Sequence, residues 1–248
     1  PPLSLSLSAS QFYNTLSFIM RIFKHIHKPV CWTIATIIIL SILAPSSLYA
    51  QREIQTINDS WKFRKGECTA ALDSTFKDDE WEDIHLPHTW NTDAYTEKDY
   101  YRGMGWYRRQ IILPQDWIGK QVFLKLDAAS KATCIYINGK KVGEHTGGYT
   151  ASTLNITPFL SFNSPNMLVI RVDNARMDIP PISGDFTFFG GIYRDAWLIA
   201  VPSQHFNLTN HGSDGIFITT PRVSEQQATL SIHGEIRNDA REKAALEL

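Results

Sequence analysis

The chain has 248 residues, of which 43% are hydrophobic and 20% charged, and its formal net charge is -1 at pH 7. This length is sufficient for one or two domains with ordinary hydrophobic cores. The nearly neutral charge, without a basic cluster after the N-terminal segment, excludes a surface built to bind nucleic acid.

The N-terminal segment, residues 1–50, is predicted to contain an upstream extension and a signal peptide. Residues 1–19 precede the first methionine, Met20, and are left out of the fold prediction. After Met20 come basic residues, the apolar run Val30–Leu43, and a small residue, Ala50, at a site that suits signal peptidase. These features predict cleavage after Ala50 and export to the periplasm or the cell exterior.

The alternative is that the N-terminal segment stays attached as a membrane anchor. The uncharged run Pro29–Ala50 is about long enough to cross a bilayer, but Pro45, Ser46 and Ser47 interrupt it. We therefore expect no stable membrane anchor after cleavage.

Two cysteines, Cys68 and Cys134, follow the predicted cleavage site. An exported protein can form a disulfide between them, but two cysteines in so long a chain are not a disulfide framework. Two small core residues are the favoured interpretation, and a disulfide is the alternative.

The chain after residue 50 is rich in predicted β-strands. Its apolar runs are short, rich in β-branched and aromatic residues, and bounded by turn-forming residues, which is typical of strands. Apolar residues alternate with others in Val122–Leu126, Ile135–Ile137 and Leu168–Val172, so each is predicted to turn one face toward a core. Asn138-Gly139 follows one of these runs and predicts a hairpin with a type I′ turn.

Closely spaced strands without a helical period predict an all-β fold, in which antiparallel sheets pack as a β-sandwich. We predict a jelly-roll β-sandwich for residues 51–202, although periodicity does not distinguish it from an immunoglobulin-like sandwich. New strands are predicted at Phe206–Asn210, Gly215–Thr219 and Ala228–Gly234. Residues 203–248 are therefore expected to be the first part of a second β-sandwich, too short to close a domain of about 100 residues.

Three segments carry a family resemblance. LPHTWN at Leu86–Asn91, GMGWYRR at Gly103–Arg109 and FFGGIYRDAW at Phe188–Trp197 are similar to segments of the sugar-binding domain of glycoside hydrolase family 2. This family contains β-galactosidases and β-glucuronidases. The resemblance implies a jelly roll for residues 51–202, the start of an immunoglobulin-like domain for residues 203–248, and a catalytic (β/α)₈ barrel after both in the intact enzyme.

The resemblance implies that the intact protein is a retaining glycoside hydrolase that acts on terminal β-glycosides, with β-galactosidase as the favoured interpretation, and the signal peptide predicts that it is exported. A retaining mechanism uses two carboxyl groups about 5 Å apart. The family carries that pair on the barrel, so no catalytic residue is assigned here, and the chain alone is expected to be inactive.

Other interpretations are also open. One is a stand-alone carbohydrate-binding module, and another is a relative specific for β-glucuronides or β-mannosides. We predict no cofactor for this region, whereas a sodium or magnesium ion and a homo-oligomer are open alternatives for the intact enzyme.

Two residues are candidates for binding the carbohydrate. Asp173 follows a predicted strand, and an ionised carboxylate accepts strong hydrogen bonds from neighbouring hydroxyls. Asn91 ends the LPHTWN segment, and we expect its amide, which both donates and accepts, to project from a loop toward paired hydroxyls. The resemblance implies a sugar contact for both. The alternatives are a turn aspartate bonded to its own backbone and an asparagine that caps a turn.

The remaining motif residues have predicted structural roles. Trp106 is assigned to the core, and Arg109 and Arg194 are expected to pair with carboxylates and join strands. Phe188–Phe189 is expected to pack in the core, with stacking on a sugar as the alternative. No metal site is predicted, because the histidines lack ligand spacing and the acidic run Asp78–Asp83 lacks the glycine of a calcium loop.

Overall fold

The structure is a computed structural model that describes residues 52–92, 96, 100–180, 182, 184 and 188–243. The predicted extension, signal peptide and cleavage site lie outside these residues. In the part of the chain that is described, no helix has the length and apolar character needed to cross a membrane.

Regular structure in the described ranges consists of β-strands and three single-turn 3₁₀ helices. The 3₁₀ turns lie at Thr69–Leu72, Gln115–Trp117 and Thr157–Phe159. The strands, in chain order, are β1 (Glu53–Thr56), β2 (Trp61–Lys65), β3 (Glu82–Ile84), β4 (Met104–Ile111), β5 (Gln121–Leu126), β6 (Ala132–Ile137), β7 (Lys140–Thr146), β8 (Ser152–Asn155), β9 (Asn166–Asp173), β10 (Ala196–Val201), β11 (Gln204–Phe206), β12 (Ile216–Val223), β13 (Ala228–Gly234) and β14 (Ile236–Asn238).

The strands up to β10 form two antiparallel sheets. One has four strands in the order β1-β10-β5-β8, and the other has six in the order β3-β2-β4-β9-β6-β7. Alternate side chains of both sheets meet in one shared core, which includes Val122, Leu124 and Leu126 of β5 and Leu168, Ile170 and Val172 of β9. The predicted all-β sandwich is confirmed. The period of two that marked these strands in the sequence separates side chains in the core from those on the outer faces.

The turn between β6 and β7 is the predicted hairpin. Asn138 has φ 51° and Gly139 has φ 78°, so both central residues adopt the positive φ that a type I′ turn requires. The Asn138 side chain also accepts a hydrogen bond from the N–H of Met167 at 2.9 Å, which joins the turn to β9.

After β10 the chain forms two further two-stranded sheets, β11 with β14 and β12 with β13. The strand predicted at Ala228–Gly234 is confirmed, and the one predicted at Gly215–Thr219 is longer and starts one residue later. The hypothesis that residues 203–248 begin an immunoglobulin-like domain stays a prediction.

The strand predicted at Phe206–Asn210 is wrong, since β11 ends at Phe206. The side chain of Asn207 accepts hydrogen bonds from the N–H and the hydroxyl of Thr209, at 3.1 and 2.8 Å, and this local bonding turns the chain. The turn places Leu208 in a small cluster with Phe123 and Ile199 on the outer face of the four-stranded sheet.

The long loop between β2 and β3, residues 66–81, covers part of the outer face of the six-stranded sheet, and Arg108 of β4 holds it there. Arg108 is 1% exposed and donates to the carbonyl oxygens of Ala71 at 2.8 Å and Asp73 at 3.3 Å. Its Nε lies 3.0 Å from a carboxylate oxygen of Asp78, and its guanidinium carbon lies 5.2 Å from the ring centre of Phe76. The loop is therefore organised around a single buried cation.

The indole of Trp106 is buried under this loop. It packs with Ala71, Trp81 and Val169, so the assignment of Trp106 to a core is confirmed, although the core is this outer cluster and not the one between the sheets. Cys68 belongs to this loop and packs at the edge of the same cluster.

Both cysteines are free thiols, and Cys134 is buried. The Sγ of Cys134 accepts a hydrogen bond from Nη2 of Arg171 at 3.3 Å, whereas Cys68 packs against apolar side chains. The favoured interpretation, two small packed residues, matches these positions, and the disulfide alternative does not.

We predict that Arg108→Met destabilises the fold by about 3 kcal/mol, because it leaves the Asp78 carboxylate and the loop carbonyls without their buried donor. Methionine keeps a comparable apolar stem, so packing is affected less than bonding. The free energy of unfolding from urea titration measures the loss. The matched control is Arg64→Met, since Arg64 is an exposed arginine of the neighbouring strand; equal stability of the two variants would contradict the assigned role.

Candidate functional site

The three motif segments meet at one end of the sandwich, around the indole of Trp90. A Cβ added at Gly105 would lie 2.4 Å from an indole carbon, and one added at Gly190 would lie 2.1 Å from another. Both positions therefore exclude any side chain. On the core side, the ring of Phe63 stacks on Trp90 with centroids 5.8 Å apart and an angle of 13° between the planes.

Two buried asparagines bond the same segments to each other. Asn91 donates to the carbonyl oxygen of Tyr101 at 2.8 Å and accepts from the N–H of Gly190 at 2.6 Å. Asn174 accepts from the N–H of Gly103 at 2.8 Å and donates to the carbonyl oxygen of Phe188 at 3.2 Å. We call this arrangement of Trp90, Asn91, Gly105, Asn174 and Gly190 the Trp90 clasp.

A histidine and a tyrosine close the inner side of the clasp. Nδ1 of His88 lies 2.8 Å from the hydroxyl oxygen of Tyr107, and that oxygen accepts from the N–H of Ile192 at 3.4 Å. Burial lowers the pKa of the His88 imidazole and raises the pKa of the Tyr107 hydroxyl. Both groups are therefore held neutral near pH 7. Their hydrogen bonds have a structural role, because they connect β4 to the segment before β10.

The structure places Asn91 differently from the sequence-based expectation. Its side chain is 0% exposed, and both of its polar atoms bond to backbone groups. The expectation that this amide projects from a loop is wrong, because the buried N–H of Gly190 and carbonyl of Tyr101 need partners. A sugar contact for Asn91 stays a prediction that these contacts do not support.

Asp173 lies at the end of β9, next to the clasp residue Asn174, and is half-buried. One carboxylate oxygen accepts from the N–H of Ala175 at 2.8 Å, as the turn alternative expected. No hydrogen bond to the other oxygen occurs among the described residues. The carboxylate therefore combines a turn role with an oxygen that can accept from a ligand, and sugar binding by Asp173 stays a prediction.

The two motif arginines differ in their roles. Nη1 of Arg109 donates to the carbonyl oxygen of Asp59, and its guanidinium carbon lies 6.0 Å from the ring of Trp61. Arg109 thus joins two segments, but through a carbonyl and a ring instead of a carboxylate. Arg194 is exposed over the ring of Tyr193, and pairing with a carboxylate is not seen for it in the described part of the chain.

A cleft of about 320 Å³ opens beside the clasp, and we call it the clasp cleft. It combines aromatic walls with hydroxyl groups and one amine. Its lining residues are Thr89, Ser130, Lys131, Tyr149, Phe188, Phe189 and Tyr193. Phe188 is buried, as the predicted packing expects, and Phe189 is half-buried, while the alternative of stacking on a sugar stays a prediction.

Lys131 is the charged member of this lining. It is 1% exposed, and its Nζ donates to the carbonyl oxygen of Ile179 at 3.0 Å. Burial and the nearby Arg102 lower the pKa of the Lys131 amine, while Asp173 and Asp178 act in the opposite direction. The lining of the clasp cleft therefore includes a buried amine as well as hydroxyl groups and aromatic rings.

Sequence reasoning missed Lys131, Tyr149 and Tyr193 as members of one cleft. They belong to three connections that are distant in the chain, and no spacing rule relates them. The glycine pair before Tyr149 was the one local signal, because adjacent glycines mark a turn or loop.

We predict that Gly190→Ala destabilises the fold by about 3 kcal/mol or prevents folding, because the new methyl would overlap Trp90 and lie 2.7 Å from Nδ2 of Asn174. Urea unfolding measures this. Gly148→Ala is the matched control, since its added Cβ would meet nothing nearer than 3.7 Å. If both variants unfold at the same urea concentration, the clasp does not constrain the fold.

Comparison with known proteins agrees with this geometry. Residues 49–202 match the family model described as glycosyl hydrolases family 2, sugar binding domain. A β-glucuronidase from Bacteroides fragilis is 34% identical over 202 residues, which are 80% of this chain and 28% of that protein. Beta-galactosidase BoGH2A from Bacteroides ovatus is 30% identical, over 81% of this chain and 24% of its own length.

A solved structure gives the same result. The crystal structure of a β-glucuronidase from Bacteroides uniformis is 76% identical, with a TM-score of 0.76, and the match covers 77% of this chain and 23% of that one. The chain thus spans only 23 to 28% of the length of these relatives. Since the family model covers most of the chain and its motifs form the clasp, this chain belongs to glycoside hydrolase family 2.

Proposed function

We propose that this chain is the N-terminal part of a retaining glycoside hydrolase that removes terminal β-glucuronic acid from its substrates. The observation that carries this proposal is the 76% identity to the Bacteroides uniformis β-glucuronidase over 77% of the chain. In the proposed enzyme, this region frames the substrate pocket at the clasp end and supports the catalytic barrel. The enzyme is exported, on the basis of the signal-like segment Met20–Ala50.

The second candidate function is β-galactosidase, the interpretation first favoured from the sequence. Relatives named β-galactosidase support it, at 30% identity for the Bacteroides ovatus protein and 28% for one from Thermoanaerobacter pseudethanolicus. The lower identity makes it the weaker candidate. A stand-alone module has less support, because each of these matches covers about a quarter of a longer protein.

The proposed specificity is tested with the protein expressed from its complete gene. We expect kcat/KM for an aryl β-glucuronide to exceed that for the aryl β-galactoside and β-mannoside by at least about a hundredfold, since a site that binds a carboxylate is left unpaired by a neutral sugar. A preference for the galactoside would replace the first candidate with the second.

The isolated 248-residue chain is expected to hydrolyse none of these substrates. A retaining mechanism needs two carboxyl groups about 5 Å apart, and the family resemblance assigns that pair to the barrel. The measurement is release of the aryl group by protein free of contaminating hydrolases. Turnover above the rate in buffer would contradict the assignment of catalysis to the barrel.

Asp173 can be tested by two substitutions in the intact enzyme. Asp173→Asn keeps an oxygen for the N–H of Ala175 but removes the charge available to sugar hydroxyls, so we expect kcat/KM to fall about tenfold or more with an unchanged Tm. Asp173→Ala also removes the turn bond and should lower both quantities.

The control for these variants is Asp116→Asn, which changes an exposed acid in a 3₁₀ turn. If Asp173 is only a turn residue, Asp173→Asn will match this control in both kcat/KM and Tm, and only Asp173→Ala will be less stable.

A further inference from the structure

Tyr149 is an aromatic residue in the connection between β7 and β8 that the clasp does not use. It is 61% exposed, whereas five of the six tryptophans in the described residues are buried. In a mobile loop, such exposure would carry no information. The contacts of this loop therefore decide whether the ring has a fixed position.

Three hydrogen bonds hold the loop Gly147–Thr150. The N–H of Gly147 donates to the carbonyl oxygen of Lys131 at 2.8 Å, and the hydroxyl of Tyr193 donates to the carbonyl oxygen of Gly148. The hydroxyl of Thr150 lies 3.1 Å from Nε2 of His145. The ring is thus presented on a fixed backbone, and a ligand that contacts it would not have to order the loop first.

The exposed ring lines two clefts. One is the clasp cleft, and the other, about 360 Å³, is lined by Thr146–Thr150 and Asp178–Pro180. Hydroxyl groups of Thr89, Ser130 and Thr150 belong to these linings. A ring shared by two clefts offers an apolar surface near groups that form hydrogen bonds.

The edge of the second cleft carries an ion pair, which fixes the position of a carboxylate. Asp178 is paired with Arg176 at 2.8 and 2.5 Å, and this pairing lowers the pKa of the Asp178 carboxyl to about 2. The carboxylate stays ionised at any physiological pH, and although both oxygens accept from Arg176, each keeps a further lone pair that can accept from a hydroxyl group.

We propose that Tyr149 is a stacking platform for a pyranose ring of a carbohydrate ligand, with the two clefts receiving the rest of the chain of sugars. A pyranose has an apolar face of C–H groups and a rim of hydroxyls, which matches an exposed aromatic ring bordered by hydroxyl and carboxylate acceptors. This inference rests on the proposed carbohydrate substrate and adds the residue that binds a second part of it.

The test measures binding by the protein expressed from its complete gene to immobilised oligosaccharides that end in β-glucuronic acid, β-galactose or β-mannose through sulfur linkages, which glycosidases do not cleave. The variants are Tyr149→Ala, Tyr149→Phe, which keeps the ring, and Ile112→Ala, a control at an apolar residue that is 72% exposed outside both clefts. Binding is compared only for variants whose Tm equals that of the unmodified chain.

We expect the unmodified chain to bind at least one of the three probes. Tyr149→Ala should weaken that binding about tenfold, whereas Tyr149→Phe and Ile112→Ala should stay within about twofold, because stacking needs the ring and not its hydroxyl. Absence of binding by the unmodified chain, or equal binding by Tyr149→Ala, overturns the proposal, whatever the hydrolysis assays give. A concentration-dependent dimer that Tyr149→Ala abolishes would identify a contact between two copies of the chain and would also overturn it.

Discussion

The contact on which the functional end of this protein depends is the packing of the Trp90 indole between Gly105 and Gly190. No other residue fits at either glycine, since a Cβ would lie within 2.4 Å of the indole. Once the indole is in place, the loop before β4 and the segment before β10 cannot move independently. Their buried backbone groups then require partners, and Asn91 and Asn174 supply them.

This arrangement gives the family motifs a structural meaning. Most motif side chains face inward and hold the loops, so they build the site without themselves being presented to a ligand. The residues that remain available to a ligand lie near the ends of strands. Asp173 is the last residue of β9, Lys131 precedes the neighbouring strand β6, and Tyr149 follows β7. Sheet register thus brings a carboxylate, an amine and an aromatic ring to one end of the sandwich.

The outer faces of the sandwich are covered by separate pieces of chain. A loop centred on Arg108 covers the six-stranded sheet, and the turn carrying Leu208 covers part of the four-stranded one. For this reason Trp106 and Phe123, which point away from the shared core, are as buried as the residues within it. Alternation in a strand assigns a residue to a face, but it does not tell whether that face is covered.

The sequence by itself determined the all-β class, the principal strands, the Asn138-Gly139 hairpin and the family, because each follows from local spacing or from motifs in order. Only the tertiary structure decided that Asn91 faces inward, that the chain turns at Asn207, and that Lys131 and Tyr149 line one cleft. The physical reason is that alternation and turn propensity act over a few residues, whereas side-chain orientation at a loop depends on which distant backbone group needs a partner.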